Sequence, residues 1–161
     1  MAKARSAVPE GYHTVTASLV LDDSAKAIDW YKRAFGAEER ARSIGPDGRI
    51  MHAEIQIGDS RVMLNDAMMG GKSAREFGGS PASLWIYVTD CDGFYNRAVA
   101  SGAQPMMPLA DMFWGDRFGA IIDPFGYRWS IATRAEDLTV DEIQQREAAW
   151  LKEFAAKGGK F

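Results

Sequence analysis

Few side chains in this chain can do chemistry, and those that can fall into small groups. His52 and Glu54 stand two apart in the alternating run Ile50–Ile57, so as strand residues they share one face. Together they could move a proton as an acid–base pair or, with a third donor, hold a metal ion; on an ordinary polar strand face they would do neither. Trp114-Gly115-Asp116-Arg117 joins a ring able to stack on a flat molecule to a guanidinium able to clamp an anion, through a glycine that allows a tight bend. The same residues suit a structural turn in which Asp116 and Arg117 bond to backbone. Trp85 and Tyr87 alternate on another strand and suggest an aromatic wall, or bulky filling of an empty hollow. Asn65 and Ser130 could orient a polar substituent or simply satisfy their neighbours. His13 precedes the first strand and reads as an arm residue. Cys91 lies beside Asp90 at a helix start, where the dipole favours a thiolate, yet no histidine stands at a matched position to act as its base. Met68, Met69, Met106, Met107 and Met112 read as adaptable packing rather than a soft-metal site.

The bulk sequence narrows what these groups could serve. With 161 residues, 47% of them apolar and 25% charged, the chain has the size and composition of one globular domain. A net charge of -3 lacks the basic footprint of nucleic-acid binding. No apolar stretch is long enough to span a bilayer, and the first residues lack the apolar core of a secretion signal. A lone cysteine cannot form an internal disulfide, which fits a cytoplasmic protein.

The elements that must position the groups occur twice. Val15–Leu21 alternates as a half-buried strand, Asp22-Asp23-Ser24 offers helix-cap chemistry, and Ala27, Ile28, Tyr31, Ala34 and Phe35 form a helical stripe closed by Gly36. A short strand near Glu38–Ser43 follows, then the turn Gly45-Pro46-Asp47-Gly48 and a hairpin of Ile50–Ile57 with Arg61–Asn65. Sixty-seven residues on, Ser83 answers Thr16, Asp90 answers Asp23, Ala120 answers Ala53, Arg128 answers Arg61 and Ile131 answers Leu64, while Gly102-Ala103 answers Gly36-Ala37 one residue out of step. The ordered series points to a duplicated β-strand, helix and three-strand unit, an α+β fold. Two modules, about 14–67 and 82–133, make one domain over 12–137. A loose arm occupies 1–11, a mobile Gly/Pro-rich connection spans 67–81, and a C-terminal helix and tail occupy 138–161. That helix opens on a Thr139/Glu142 capping box. Its Ile143, Trp150, Leu151 and Phe154 could dock on the domain or on a partner.

Helices must cover the apolar side of each sheet. In the first module Ala17, Leu19, Leu21, Met51, Ala53, Ile55, Ile57, Val62 and Leu64 form that side, leaving Thr16, Ser18, Val20, His52, Glu54, Gln56, Arg61, Met63 and Asn65 opposite. In the second, Leu84, Ile86, Val88, Phe118, Ala120, Ile122, Trp129 and Ile131 would face the helix. Ser83, Trp85, Tyr87, Arg117, Gly119, Ile121, Arg128 and Ser130 would line the other side. Such mixed polar and aromatic faces suit a ligand cleft, and equally a solvent-facing sheet.

Leu19-Val20-Leu21-Asp22-Asp23, Ala27-Ile28-Asp29-Trp30-Tyr31-Lys32-Arg33-Ala34-Phe35-Gly36-Ala37 and Asp123-Pro124-Phe125-Gly126-Tyr127-Arg128-Trp129 together resemble the vicinal oxygen chelate superfamily of glyoxalases, bleomycin-resistance proteins and dioxygenases. Gly45–Glu54 and Phe113–Gly119 look like its PhnB-like branch. The resemblance implies paired βαβββ modules forming a curled mixed sheet around a cup, usually completed across a homodimer, swapped or side by side. In the family's metal enzymes a divalent ion sits in that cup. The four corresponding positions here are Thr16, Met63, Ser83 and Ser130, none of them His, Asp, Cys or Glu, so neither the metal nor any other cofactor is expected. The resemblance then favours a protein that holds a small organic molecule in a homodimeric cup, with Trp85, Tyr87, Trp114, Asp116, Arg117, Asn65 and Ser130 as ligand-binding candidates. Neither nucleic acid nor membrane is expected as a partner. The alternative is a lyase, isomerase or other enzyme of the superfamily using His52, Glu54 and Arg117, possibly with an unconventionally placed metal.

Overall fold

The computed structural model describes residues 4–158, so residues 1–3 of the expected arm and 159–161 of the tail lie outside it. In chain order the elements are β1 (Ala17–Leu21), α1 (Ser24–Phe35), β2 (Glu38–Ile44), β3 (Ile50–Ile57), β4 (Ser60–Asp66), β5 (Ser83–Tyr87), α2 (Cys91–Ala100), β6 (Gln104–Asp111), β7 (Asp116–Ile122), β8 (Arg128–Arg134) and α3 (Val140–Ala156). Each βαβββ unit makes its own four-stranded mixed sheet, ordered β1-β4-β3-β2 and β5-β8-β7-β6. The first strand of each unit runs parallel to its last, because the crossover helix returns the chain to its starting end; the hairpin neighbours run antiparallel.

Aspartates start α1 and α2. Asp23 accepts from the Lys26 amide at 3.0 Å, and Asp90 accepts from the Gly93 amide at 2.9 Å. Asp66, at the end of β4, accepts from the Ser24 and Ile50 amides at 2.7 and 2.8 Å and so ties the starts of α1 and β3 together. Gly36 ends α1 at φ 67°, a left-handed position that glycine occupies without steric cost. The capping box of Thr139 and Glu142 opens α3. No residue of that helix is buried; Trp150 packs on Phe113 with ring centres 5.5 Å apart, and Arg146 pairs with Glu136.

One apolar core runs through both modules. Trp30, Tyr31 and Phe35 of α1 meet Phe94 of α2, Phe125 of the β7–β8 loop and Trp129 of β8, at ring separations of 5.0–6.2 Å for the cross-module pairs. Polar ties reinforce the joint: the Trp30 indole donates to the Ser101 carbonyl at 2.7 Å and Arg97 Nε to the Ala34 carbonyl at 2.8 Å. Asp123 is the main clamp. Its Oδ2 accepts from the Tyr31 hydroxyl at 2.6 Å and the Trp129 indole at 2.8 Å, and its Oδ1 from the Phe125 and Tyr127 amides, each at 2.9 Å. Burial pushes this carboxyl up against the downward pull of those donors. The Tyr127 hydroxyl reaches back to β1, donating to the Val20 carbonyl and accepting from the Val20 amide, both at 2.8 Å.

The connection between modules is docked. Ser73 and Ala74 are buried, and Ser73 and Glu76 bond each other's amides at 2.8 and 3.3 Å. The Ser80 amide donates to the Gly126 carbonyl at 3.0 Å. A Cβ on Gly126, which has φ 91°, would lie 3.3 Å from the Arg75 nitrogen, so this approach needs glycine.

Strand phase differs from the sequence expectation in two places. In β3, Ile50 is buried and Met51 is 48% exposed, because a register shift against β2 between Ser43 and Ile44 breaks the alternation. In β7 the whole assignment inverts. Ala53 pairs with Leu64, whereas Gly119, not Ala120, pairs with Ile131. The repeat offset is therefore 67 residues for the first and last strands but 66 from the helix end through β7. The shorter α2 removes a residue, and the five residues between paired Ile122 and Arg128, against four between Gln56 and Arg61, restore it. A one-residue slip turns every side chain over. Gly119 and Ile121 thus face α2, while Phe118, Ala120 and Ile122 join Trp85 and Ser130 on the open face.

Candidate functional site

The corrected phase assembles an aromatic wall on the open face of the second sheet. Trp85 stacks on Phe118 with ring centres 5.0 Å apart, Trp114 meets Phe118 edge-on at 5.7 Å, and Tyr87 lies 6.1 Å from Trp85. β5 and β7 supply the alternating positions, and the Trp114-Gly115 bend folds the indole over the strand ends. Gly115 has φ 94°, and a Cβ there would meet the Glu136 carbonyl at 3.0 Å. Asp116 holds the wall: only 5% exposed, it accepts from the Tyr87 hydroxyl and the Trp114 indole, each at 3.0 Å. Burial, and then the Asp116 carboxylate, raise the Tyr87 hydroxyl, keeping it a donor. Trp85 and Tyr87 nevertheless remain 48% and 63% exposed.

Thus Trp85, Tyr87, Trp114, Asp116 and Ser130 share one face. Arg117 does not. Its side chain lies on the helix side of β7, where Asp92 of α2 accepts from Nε and Nη2 at 3.0 and 2.8 Å, and Asp111 pairs with Nη1 at 3.4 Å. Arg117 is a strap between sheet and helix, separated from both His52 and the wall by the inverted phase. Asn65 lies on the first sheet, where its amide donates to the Asp66 carbonyl at 3.0 Å.

On that first sheet His52 and Glu54 do pair, at 3.1 Å. Arg61 contacts the other carboxylate oxygen at 3.4 Å and lies over the Tyr12 ring, 5.8 Å from its centre. Hydrogen bonds from Tyr12 and His52, helped by the Arg61 charge, hold the Glu54 carboxyl below its ordinary value. A carboxylate so well supplied with donors is a weak base, which limits proton abstraction here. Tyr12 and Arg61 were not among the sequence candidates; the alternation that places Arg61 beside Glu54 was the available signal. The sequence alternation puts Phe118 on the helix side, and its place in the wall becomes legible only once the 66-residue offset is carried through β7.

The four positions that the sequence resemblance matches to metal ligands, Thr16, Met63, Ser83 and Ser130, carry donors committed elsewhere or unsuited to a hard cation. The Thr16 hydroxyl donates to the His13 carbonyl at 3.1 Å, and the Ser83 and Ser130 hydroxyls lie 3.4 Å apart. Met63 offers a thioether. Neutral hydroxyls and a thioether do not fit a catalytic divalent ion, which needs carboxylate or imidazole. Near these positions a cleft of about 980 Å³ opens between β1 and β5, with Thr16, Arg61, Ser83, Trp85 and Tyr87 among its lining residues.

A model of the Glyoxalase/Bleomycin resistance protein/Dioxygenase superfamily matches residues 12–131. The chain belongs to that superfamily. A Mycobacterium bovis relative, described as uncharacterized, is 45% identical over 131 residues, which is 78% of this chain and 86% of that protein. The crystal structure of TioX from Micromonospora sp. ML1 superposes with a TM-score of 0.60 at 28% identity, covering 79% of this chain and all of the other (100%). A PhnB protein from Bacillus cereus shares the fold with a TM-score of 0.61 at 19% identity, over 75% of this chain and 99% of its own. No helix among the described residues is long and apolar enough to cross a membrane.

Proposed function

We propose that this superfamily member is a cytoplasmic protein that binds a small, flat organic molecule against the Trp85–Phe118–Trp114 wall, in a cup completed by a second copy and without the family's divalent ion. The pinning of two rings by the buried Asp116 carries the reading. A buried carboxylate whose bonds orient Tyr87 and Trp114 gives the wall a fixed shape, while Trp85 and Tyr87 keep apolar surface open for an occupant. The hydroxyl and thioether side chains at the metal positions support an ion-free site, and Ser83 and Ser130 supply small polar groups beside the rings.

Calorimetric titration with naphthalene-1-carboxamide, a flat neutral probe, tests this directly. Saturable binding is expected, weakened about tenfold in Trp85→Ala, a loss of one stacking face. Dialysis against chelator should leave it unchanged, and light scattering should report a dimer. Retention of stoichiometric metal together with loss of binding in chelator would overturn the ion-free reading. Catalysis by His52 and Glu54 remains the competing reading; it requires that His52→Ala abolish turnover of some substrate while fold and dimer persist.

A further inference from the structure

A second cleft, of about 1080 Å³, lies under the connection between the modules and shares no lining residue with the first. Ser18 and Val20 of β1, Lys72, Arg75 and Phe77 of the connection, and Arg128 at the start of β8 contribute to it. Three cations line it and no aspartate or glutamate does, in a chain whose net charge is -3. Arg75 is paired with Asp22 at 3.1 Å, and the Lys72 ammonium lies 5.8 Å from the centre of the Phe77 ring. Among the described residues Arg128 has no ion pair, and its Nε is buried without a hydrogen-bond partner.

The duplication explains why that guanidinium is left over. Arg61 is the repeat partner of Arg128, and its Nε is also buried and unpartnered. Arg61, however, carries its own counterion: Glu54, two residues along β3 from its cross-strand partner Gln56. The corresponding place in β7, two residues from Ile122, is held by Ala120. The second module has kept the arginine and has no carboxylate at that place. A partly buried guanidinium without an anion is costly, and its planar fork matches a carboxylate or phosphate.

We propose that Arg128 anchors an anion-binding site in this second cleft, which takes a small organic molecule bearing a carboxylate or phosphate group on an apolar body. Arg128 grips the oxyanion, and Lys72 and Arg75 add positive potential. Phe77, 71% exposed, with Val20 and Ile122 meets the apolar part.

Calorimetry with 1-naphthoate, 1-naphthyl phosphate, inorganic phosphate and neutral naphthalene-1-carboxamide tests the site. The two naphthyl anions should bind more tightly than the amide, with an affinity that falls as salt rises. Arg128→Gln should lower their affinity by about tenfold or more, and Lys72→Gln, a surface change, should lower it by less. Trp85→Ala should leave the anion preference intact while it weakens amide binding, so failure at the aromatic wall and failure here give different patterns. Equal affinity of Arg128→Gln and wild type for both anions would overturn the proposal. So would a Trp85→Ala protein that prefers the amide to the anions, or anion binding that disappears in Trp85→Ala. Inorganic phosphate binding as tightly as naphthyl phosphate would overturn the apolar part of the site.

Discussion

On the open face of the first sheet, successive alternate positions of β3 carry His52, Glu54 and Gln56, with Arg61 across from them; the matched positions of the second carry Phe118, Ala120, Ile122 and Arg128. One face is closed by its own charges, since Glu54 is shared among Tyr12, His52 and Arg61. The other leaves Trp85 and Tyr87 exposed and carries, among the described residues, a guanidinium with no ion pair. The two modules share one scaffold, and a few open-face residues separate a copy whose charges satisfy one another from a copy that lacks the matching carboxylate. The difference also reaches the hairpins: the first closes on Gly58 and an exposed Asp59, the second on the buried Asp123.

The sharpest way to break the comparison is at those hairpin aspartates. Asp123→Ala strands the Tyr31 hydroxyl, the Trp129 indole and two amides, and should cost roughly 3–5 kcal/mol in urea unfolding. Asp59→Ala, whose carboxylate among the described residues bonds only the adjacent Ser60 hydroxyl, should stay within about 0.5 kcal/mol. Equal losses would mean that the two hairpins bear the same load. Next in size is Gly119→Ala. The first module already has an alanine, Ala53, at this position, but in the second a Cβ would lie 2.9 Å from the Tyr95 ring, so a loss of about 1–3 kcal/mol is expected. Smaller again is the acid limb of stability. The folded-state pKa of Glu54 is depressed, so its contribution is present above the unfolded glutamate range and is lost as pH falls through the depressed value. Glu54→Gln should flatten that limb by no more than about 1 kcal/mol, the scale of a surface ion pair, and a limb of unchanged slope would count against the clasp. The smallest effect belongs to Arg117→Ala, which should leave naphthalene-1-carboxamide affinity unchanged, because Asp92 holds the guanidinium on the far side of β7.

Much of the architecture was legible in the residues. Aspartates at the starts of α1 and α2, Gly36 at the end of α1, the Thr139 box and the alternation of Ile50–Ile57 each follow from local chemistry, and each appears in the structure. The site was legible by residue type and less so by position. Trp85 and Tyr87 were placed correctly because β5 keeps the 67-residue offset. Arg117 and Phe118 were exchanged because the single-residue slip seen at Gly102 persists until the longer β7–β8 loop absorbs it, and a strand read one residue out presents its other side. Asp116 was named for its chemistry, but its partners, Tyr87 and Trp114, depend on how separate strands meet. The connection looked mobile from its glycines, whereas Gly126 and Ser80 fasten it through contacts that composition does not encode.

The bond pair between Tyr127 and Val20 has a consequence for assembly. A sheet edge invites any passing extended chain to extend the ladder. On β1 one phenolic oxygen occupies both the donor and the acceptor of Val20, the fourth of its five residues, so at that point of the edge an incoming strand finds no rung to grasp. Strand addition along β1 is therefore blocked at Val20, and this five-residue edge is blunted by a side chain from the other module rather than by a charge or a proline.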